Sequence, residues 1–318
     1  MGLSELDFRD LILPEVGTPL LKGLHGSQAV TALPQGYGED IEQLRKGLYD
    51  ELQAHPGRRD WCFRDKGGVQ YRVKYMSGGP GGRPVFYLRR HARSLTSLND
   101  LGYPSWLSSQ LCGASLRSGL VLFAGNQGAG KTTGASAYVA ERLAIYGGTA
   151  LTVECPIEIA LDGHHGLGWC HQTEVESESD FEDAITQSFR CGSPDILYLG
   201  EIRESRGSSE AIKAACTTYL VVSTIHGAGI IESLERLLIF ASGGVLGSKA
   251  QDLVAQAFAA CIHQSLEVGP DGQKQLRVST LFATDAVRAK LRSGQLFQLK
   301  DLIEQQRSQR MHTGRTFS

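Results

Sequence analysis

The pattern of apolar and polar positions changes character about a third of the way along the chain. From Gly119 onward, short runs that are apolar throughout, LVLFA (120–124), ALTV (150–153), ILYL (196–199) and YLVVS (219–223), alternate with longer segments of helical periodicity. A strand without polar alternation is one buried on both faces, as happens in a parallel sheet covered by helices. The spacing predicts helices over 131–146, 180–190, 206–217, 230–241 and 248–262. Strands and helices in alternation give an α/β domain with a mostly parallel sheet.

The first 95 or so residues have a different texture, with short amphipathic pieces between turn clusters such as LPQGYGED, HPGRRD and DKGG. Ile41, Leu44, Leu48 and Leu52 recur at helical spacing in IEQLRKGLYDELQ (41–53). VQYRVKYM (69–76) and PVFYLRR (84–90) read as strands joined by the Gly-rich hairpin SGGPGGR. The expected organisation is a small N-terminal α+β domain over 1–100, a connector with one short helix over 101–118, and the α/β domain over 119–318.

Composition narrows the function classes. With 318 residues and 41% hydrophobic content, the chain can bury a sizeable core in two domains. Its 32 Lys plus Arg against 34 Asp plus Glu leave a net charge of -2, which supplies no electrostatic footprint for a long polyanion. The N-terminal MGLSELDFRD carries acids where a secretory signal needs a basic start, and no apolar run reaches the roughly 18 residues of a membrane span. The expectation is a cytoplasmic protein. The seven cysteines (62, 112, 155, 170, 191, 216 and 261) form no C-x-x-C pair, as expected of reduced, mostly buried thiols. HHGLGWCH brings His164, His165, Cys170 and His171 within eight residues, but at no recognised zinc spacing, and reads as a structural or surface loop.

The strongest chemical signal is GNQGAGKT: Gly125, Asn126, Gln127, Gly128, Ala129, Gly130, Lys131 and Thr132, with Thr133 following. It matches G-x-x-x-x-G-K-[ST] and lies between an apolar strand and a helix, the setting that a chance Gly-rich turn lacks. In such a loop the glycines let backbone N–H groups turn inward on phosphates, a lysine neutralises the β and γ oxygens, and the Thr132 hydroxyl ligates Mg²⁺. ATP and Mg²⁺ are therefore the expected ligands.

Three further stretches, VECPIE (153–158), ILYLGEIRE (196–204) and VVSTIHGAG (221–229), each follow or end a predicted strand. In a parallel sheet all three emerge at the carboxyl edge, beside the phosphate loop. Glu154, Glu158, Glu201 and His226 are thus candidates for nucleotide chemistry. One feature is unusual: Gly200 stands where many P-loop enzymes place a magnesium-binding aspartate, with Glu201 after it.

This four-part order resembles the secretion ATPase superfamily of type II secretion, type IV pili and type IV secretion, most closely its PilT-like pilus-retraction branch. The likeness runs over roughly residues 60–318. In that family a glycine at the position of Gly200 is the normal state. WCFRDKGGVQYRVKY resembles its N-domain strand pair, LTSLNDLGYP its interdomain connector, and LFATDAVRAKLRSGQLFQLKDLIEQQ its C-terminal helices. Cys155 departs from the pattern, standing where the family's Asp box has aspartate.

The resemblance implies a RecA-like P-loop motor after the α+β domain, assembled as a homohexamer at the cytoplasmic side of an inner membrane and acting on a membrane platform protein. It implies that Glu201 activates water and touches Mg²⁺ through a water, that Glu158 and Glu154 assist, and that His226 senses the γ-phosphate. It also implies that Arg72, Arg83 and Arg89 act as arginine fingers. Pilus retraction and type IV secretion or conjugation both fit. The rival classes are a DNA-translocating RecA-like ATPase, which would need a basic channel, and a nucleotide-binding scaffold that no longer hydrolyses.

Overall fold

The structure, a computed structural model, describes residues 2–27, 29–79, 82–91, 95–177, 180–190, 194–217, 219–268 and 274–313. It divides into two compact units: Met1–Ser94 with Cys155–Ala160, and Leu95–Glu154 with Leu161–Ser318. The 77–83 hairpin expected from sequence falls partly outside the described residues.

The first unit is built on strands β1 (Asp10–Pro14), β2 (Leu20–Lys22), β3 (Val30–Ala32), β4 (Asp60–Arg64), β5 (Gln70–Met76) and β6 (Val85–Arg90), with helix α1 (Gly38–Ala54). The strands form one antiparallel sheet in the order β3-β2-β1-β6-β5-β4. Alternation sorts its residues. Leu11, Leu13, Tyr71, Val73, Phe86 and Leu88 share a buried cluster with Ile41, Leu44 and Leu48 of α1. Their sequence neighbours Asp10, Ile12, Arg72, Lys74, Tyr87 and Arg89 line a hollow of about 460 Å³ in the same unit. One apolar and one charged face is what period-two alternation produces in a half-covered sheet.

The second unit contains α2 (Ser105–Leu111), β7 (Gly119–Gly125), α3 (Lys131–Tyr146), β8 (Gly148–Glu154), β9 (Gly163–His165), β10 (Gly168–Glu174), α4 (Phe181–Arg190) and β11 (Ile196–Ile202). It continues through α5 (Ser205–Ala215), β12 (Leu220–His226), α6 (Ile230–Gly243), α7 (Ala250–Ala257), β13 (Phe258–Val268), β14 (Lys274–Phe282), α8 (Asp285–Arg292) and α9 (Leu299–Thr313). The eight strands run in the order β14-β13-β7-β12-β11-β8-β10-β9. Pairings from β13 through β10 are parallel, and only the outermost strands β14 and β9 are antiparallel. Every residue of β7 is buried, as its unbroken apolar run requires. Among the described residues no helix is long and apolar enough to cross a membrane.

Two sequence expectations change here. The helix expected over 248–262 stops at Ala257, and Phe258 begins a strand inserted between β7 and β14. Its buried run FAACI carries no period that separates helix from strand, and pairing on both sides decides for strand. HHGLGWCH is not a loop but part of the edge hairpin β9–β10, with Cys170 buried and His171 stacked on Trp169 at 5.7 Å. In the 95–118 region, Leu98, Tyr103, Leu107 and Leu111 belong to the second unit's core.

Candidate functional site

The phosphate loop connects β7 to α3 and owes its shape to local backbone chemistry. Gly128 (φ 76°) and Gly130 (φ 83°) occupy left-handed conformations that side chains with a Cβ resist, and Gly130 caps α3. The buried Lys131 donates from Nζ to the carbonyl of Asn126 at 3.2 Å, so its ammonium folds back over the loop. Thr132 and Thr133 follow in the first helical turn, half-buried. A helix N-terminus adds the partial positive charge that suits an anion.

Register then gathers residues distant in sequence. His226, the last residue of β12, pairs with Gly125 at the end of β7, and Glu201 of β11 pairs with Thr224. The Glu201 carboxylate has His226 Nε2 3.1 Å from one oxygen and accepts from Arg203 Nε at 2.6 Å on the other. Burial lowers the pKa of His226, with the charges of Lys131, Arg236 and Arg203 acting in the same direction and that of Glu201 opposing. Beside them a hollow of about 430 Å³ is lined by Asn126, His226, Gly227, Ala228, Glu232 and Arg236. A somewhat larger hollow of about 500 Å³, lined in part by Arg117, Arg142 and Asp195, is away from the phosphate loop.

The structure gives a steric account of Gly200. β11 is irregular between Leu199 and Glu201, and the carbonyls at the irregularity are taken by side chains of β12: Ser223 Oγ donates to Leu199 at 2.6 Å and Thr224 Oγ1 to Gly200 at 2.8 Å. A Cβ on Gly200 would lie 3.2 Å from Cγ of Glu154. Glu154 is 2% exposed, and its Oε1 accepts from Thr152 Oγ1 and Gln172 Nε2, both at 2.8 Å. An acid is therefore already fixed beside this point, and an aspartate at 200 would crowd it and set a second carboxyl against it. Gly200→Asp is expected to cost about 1–3 kcal/mol of stability. Chemical denaturation checks this, and a variant as stable as wild type would remove the steric account.

The remaining candidates lie in the first unit. Arg72 makes a two-pronged pair with Asp60 (Nε at 3.1 Å, Nη2 at 3.0 Å) and reaches Glu158 through Nη1 at 2.8 Å. Glu158 is thus an ion-pair partner of Arg72, within the unit to which Cys155–Ala160 belongs. These carboxylates raise the Arg72 pKa, with Asp60 the larger influence, so its charge is permanent. Arg89, opposite Arg72 across the β5–β6 ladder, pairs with Asp10 at 2.8 Å, and Arg83 is exposed. Sequence reasoning missed Gln264, whose side chain touches the phosphate loop from β13. Its sequence carries little signal, because Gln264 lies among the polar His263, Ser265 and Glu267 in the half of the strand that turns exposed.

The type II/IV secretion system protein family model matches residues 80–309. The type IV pilus ATPase PilU of Pseudomonas aeruginosa is 30% identical over 71% of this chain and 58% of its own length. This chain therefore spans less than two thirds of that relative. A twitching motility protein of Neisseria gonorrhoeae is 26% identical over 93% of the chain and 78% of its own length. The crystal structure of the pilus retraction motor PilT with bound ADP superposes with a TM-score of 0.77 at 23% identity, over 95% of this chain and 87% of that one, which shows a shared fold. The parallel-rich sheet, the phosphate loop at its carboxyl edge and the family match together make this chain a member of the type II/IV secretion system protein family, on its PilT-like branch.

Proposed function

We propose that this chain hydrolyses ATP and converts the energy to mechanical work in a type IV pilus of the retraction kind, or in a related type IV secretion or conjugation machine. The observation that carries the reading is the His226–Glu201 contact at 3.1 Å, one strand away from a complete phosphate loop. Loop N–H groups and Lys131 bind the phosphates. Glu201 accepts the proton of the attacking water, with the His226 ring in close contact with its carboxylate. Glu154 supplies a second, buried carboxyl nearby. The oxygen donors Thr132 and Glu201 suit Mg²⁺, held through Thr132 directly and Glu201 by way of water, and when bound the ion would neutralise phosphate charge.

In this reading the protein acts as a homohexamer at the cytoplasmic face of the inner membrane, on a membrane platform protein. Arg72, Arg83 and Arg89, with Glu158, serve the nucleotide of a neighbouring copy. The names of the relatives, a pilus ATPase and a twitching motility protein, support the pilus over other cargo. The near-zero charge balance disfavours nucleic acid as a ligand.

The test is ATP turnover by the purified chain with Mg²⁺, with EDTA, and with or without duplex DNA. Mg²⁺-dependent turnover that rises per chain with protein concentration and ignores DNA is the expected result. Stimulation by DNA would favour a translocating motor. Nucleotide binding without turnover would favour a scaffold.

A further inference from the structure

Tyr103, Gly134 and Gln264 come from three separate parts of the second unit and meet behind the phosphate loop. Tyr103 precedes Pro104 at the start of α2, Gly134 is the fourth residue of α3, and Gln264 lies in β13. Tyr103 is 4% exposed and Gln264 1% exposed. The Tyr103 hydroxyl donates to Gln264 Oε1, and Gln264 Nε2 donates to the carbonyl of Ala129, inside the loop, at 2.7 Å. Both ends of the carboxamide are thereby occupied, which fixes its orientation in a buried setting where an unmet group is costly. The Tyr103 ring also packs edge-on against Phe123 of β7, the strand that delivers the loop.

Gly134 is what admits the hydroxyl. A Cβ built there would stand 2.0 Å from the Tyr103 oxygen and 3.1 Å from Gln264 Oε1. The phosphate loop and the segment before α2 are thus joined by a chain of two hydrogen bonds threaded past a missing side chain.

The effect on the loop follows from peptide geometry. In a planar trans peptide the N–H points opposite to the C=O. Anchoring the Ala129 carbonyl on Gln264 therefore turns the Gly130 N–H away from β13. We propose that Tyr103 and Gln264 are positioning residues for nucleotide: they hold the Ala129–Gly130 peptide in the orientation that presents its N–H to phosphate, and they tie loop geometry to the segment before α2. This inference rests on the nucleotide reading of the loop given above.

The experiment compares wild type, Tyr103→Phe and Gln264→Leu in full-length protein, by titration with Mg-ATP and ADP and by steady-state turnover. A neutral hydrogen bond contributes about 0.5–1.5 kcal/mol, so Tyr103→Phe should weaken nucleotide binding and raise KM roughly 2- to 10-fold. Because the anchored N–H meets phosphate before and during reaction alike, kcat should stay within about twofold. A purely structural role would lower melting temperature and leave KM alone. Gly134→Ala, which expels the hydroxyl, should lose at least as much affinity as Tyr103→Phe. Adding Tyr103→Leu to it should return affinity to the level of Tyr103→Leu alone, because the two changes act through one contact. If Gly134→Ala does not fold, the Tyr103 and Gln264 variants decide the matter. Wild-type KM and affinity in both would overturn the positioning role. Failure of wild-type protein itself to bind Mg-ATP is a separate outcome, and overturns the nucleotide reading together with what rests on it.

Discussion

Replacing Glu201 by glutamine should leave Mg-ATP bound and lower turnover by about 10²- to 10⁴-fold, the usual contribution of a positioned general base. The substitution keeps the size of the side chain and removes its ability to take a proton. It also disturbs the local pairing. Glu201 accepts from Arg203 Nε at 2.6 Å and has His226 Nε2 3.1 Å from its other oxygen, and an amide can accept on only one side. The binding surface made by the loop and Lys131 is untouched, so nucleotide affinity should fall within a few-fold of wild type. Steady-state hydrolysis together with nucleotide titration separates the two quantities. Turnover within tenfold of wild type would show that Glu201 is not the base and would turn attention to the buried Glu154.

Lys131→Ala should abolish the other half of the chemistry. The ammonium rests on the Asn126 carbonyl at 3.2 Å and is buried at the start of α3, placed to move onto phosphate with little reorganisation. Charge-assisted hydrogen bonds contribute about 1.5–3 kcal/mol each, so affinity for Mg-ATP should drop by roughly 10²-fold and turnover to background. A thermal melt gives a readout independent of turnover. Saturating Mg-ATP should raise the wild-type melting temperature, whereas the variant should show no rise at the same concentration. An unchanged rise would mean that nucleotide binds elsewhere on the chain.

How much of this was legible beforehand differs from element to element. The strands at 120–124, 150–153, 196–199 and 219–223 were readable because burial on both faces leaves a nearly unbroken apolar run, with Thr152 and Ser223 as buried polar exceptions. That same rule failed at Phe258–Ile262, where an equally apolar run attached to a helix has no distinguishing period. The short strands β1–β3 and the edge hairpin β9–β10 escaped notice because exposed or half-exposed pieces of three to seven residues carry too few positions to show alternation.

By itself the sequence determined everything whose physics is local. The phosphate loop is one continuous stretch whose glycines set their own backbone angles, and the strand before it and helix after it follow from their own periodicity. Tertiary structure alone decided which side chains meet. The pairing of Glu201 with His226, the pressing of Glu154 against Gly200, the ion pair of Arg72 with Glu158 and the reach of Gln264 to Ala129 all join residues far apart in the chain. Each is fixed by strand register and packing, and a register shift of one residue would turn these side chains to the opposite face of the sheet.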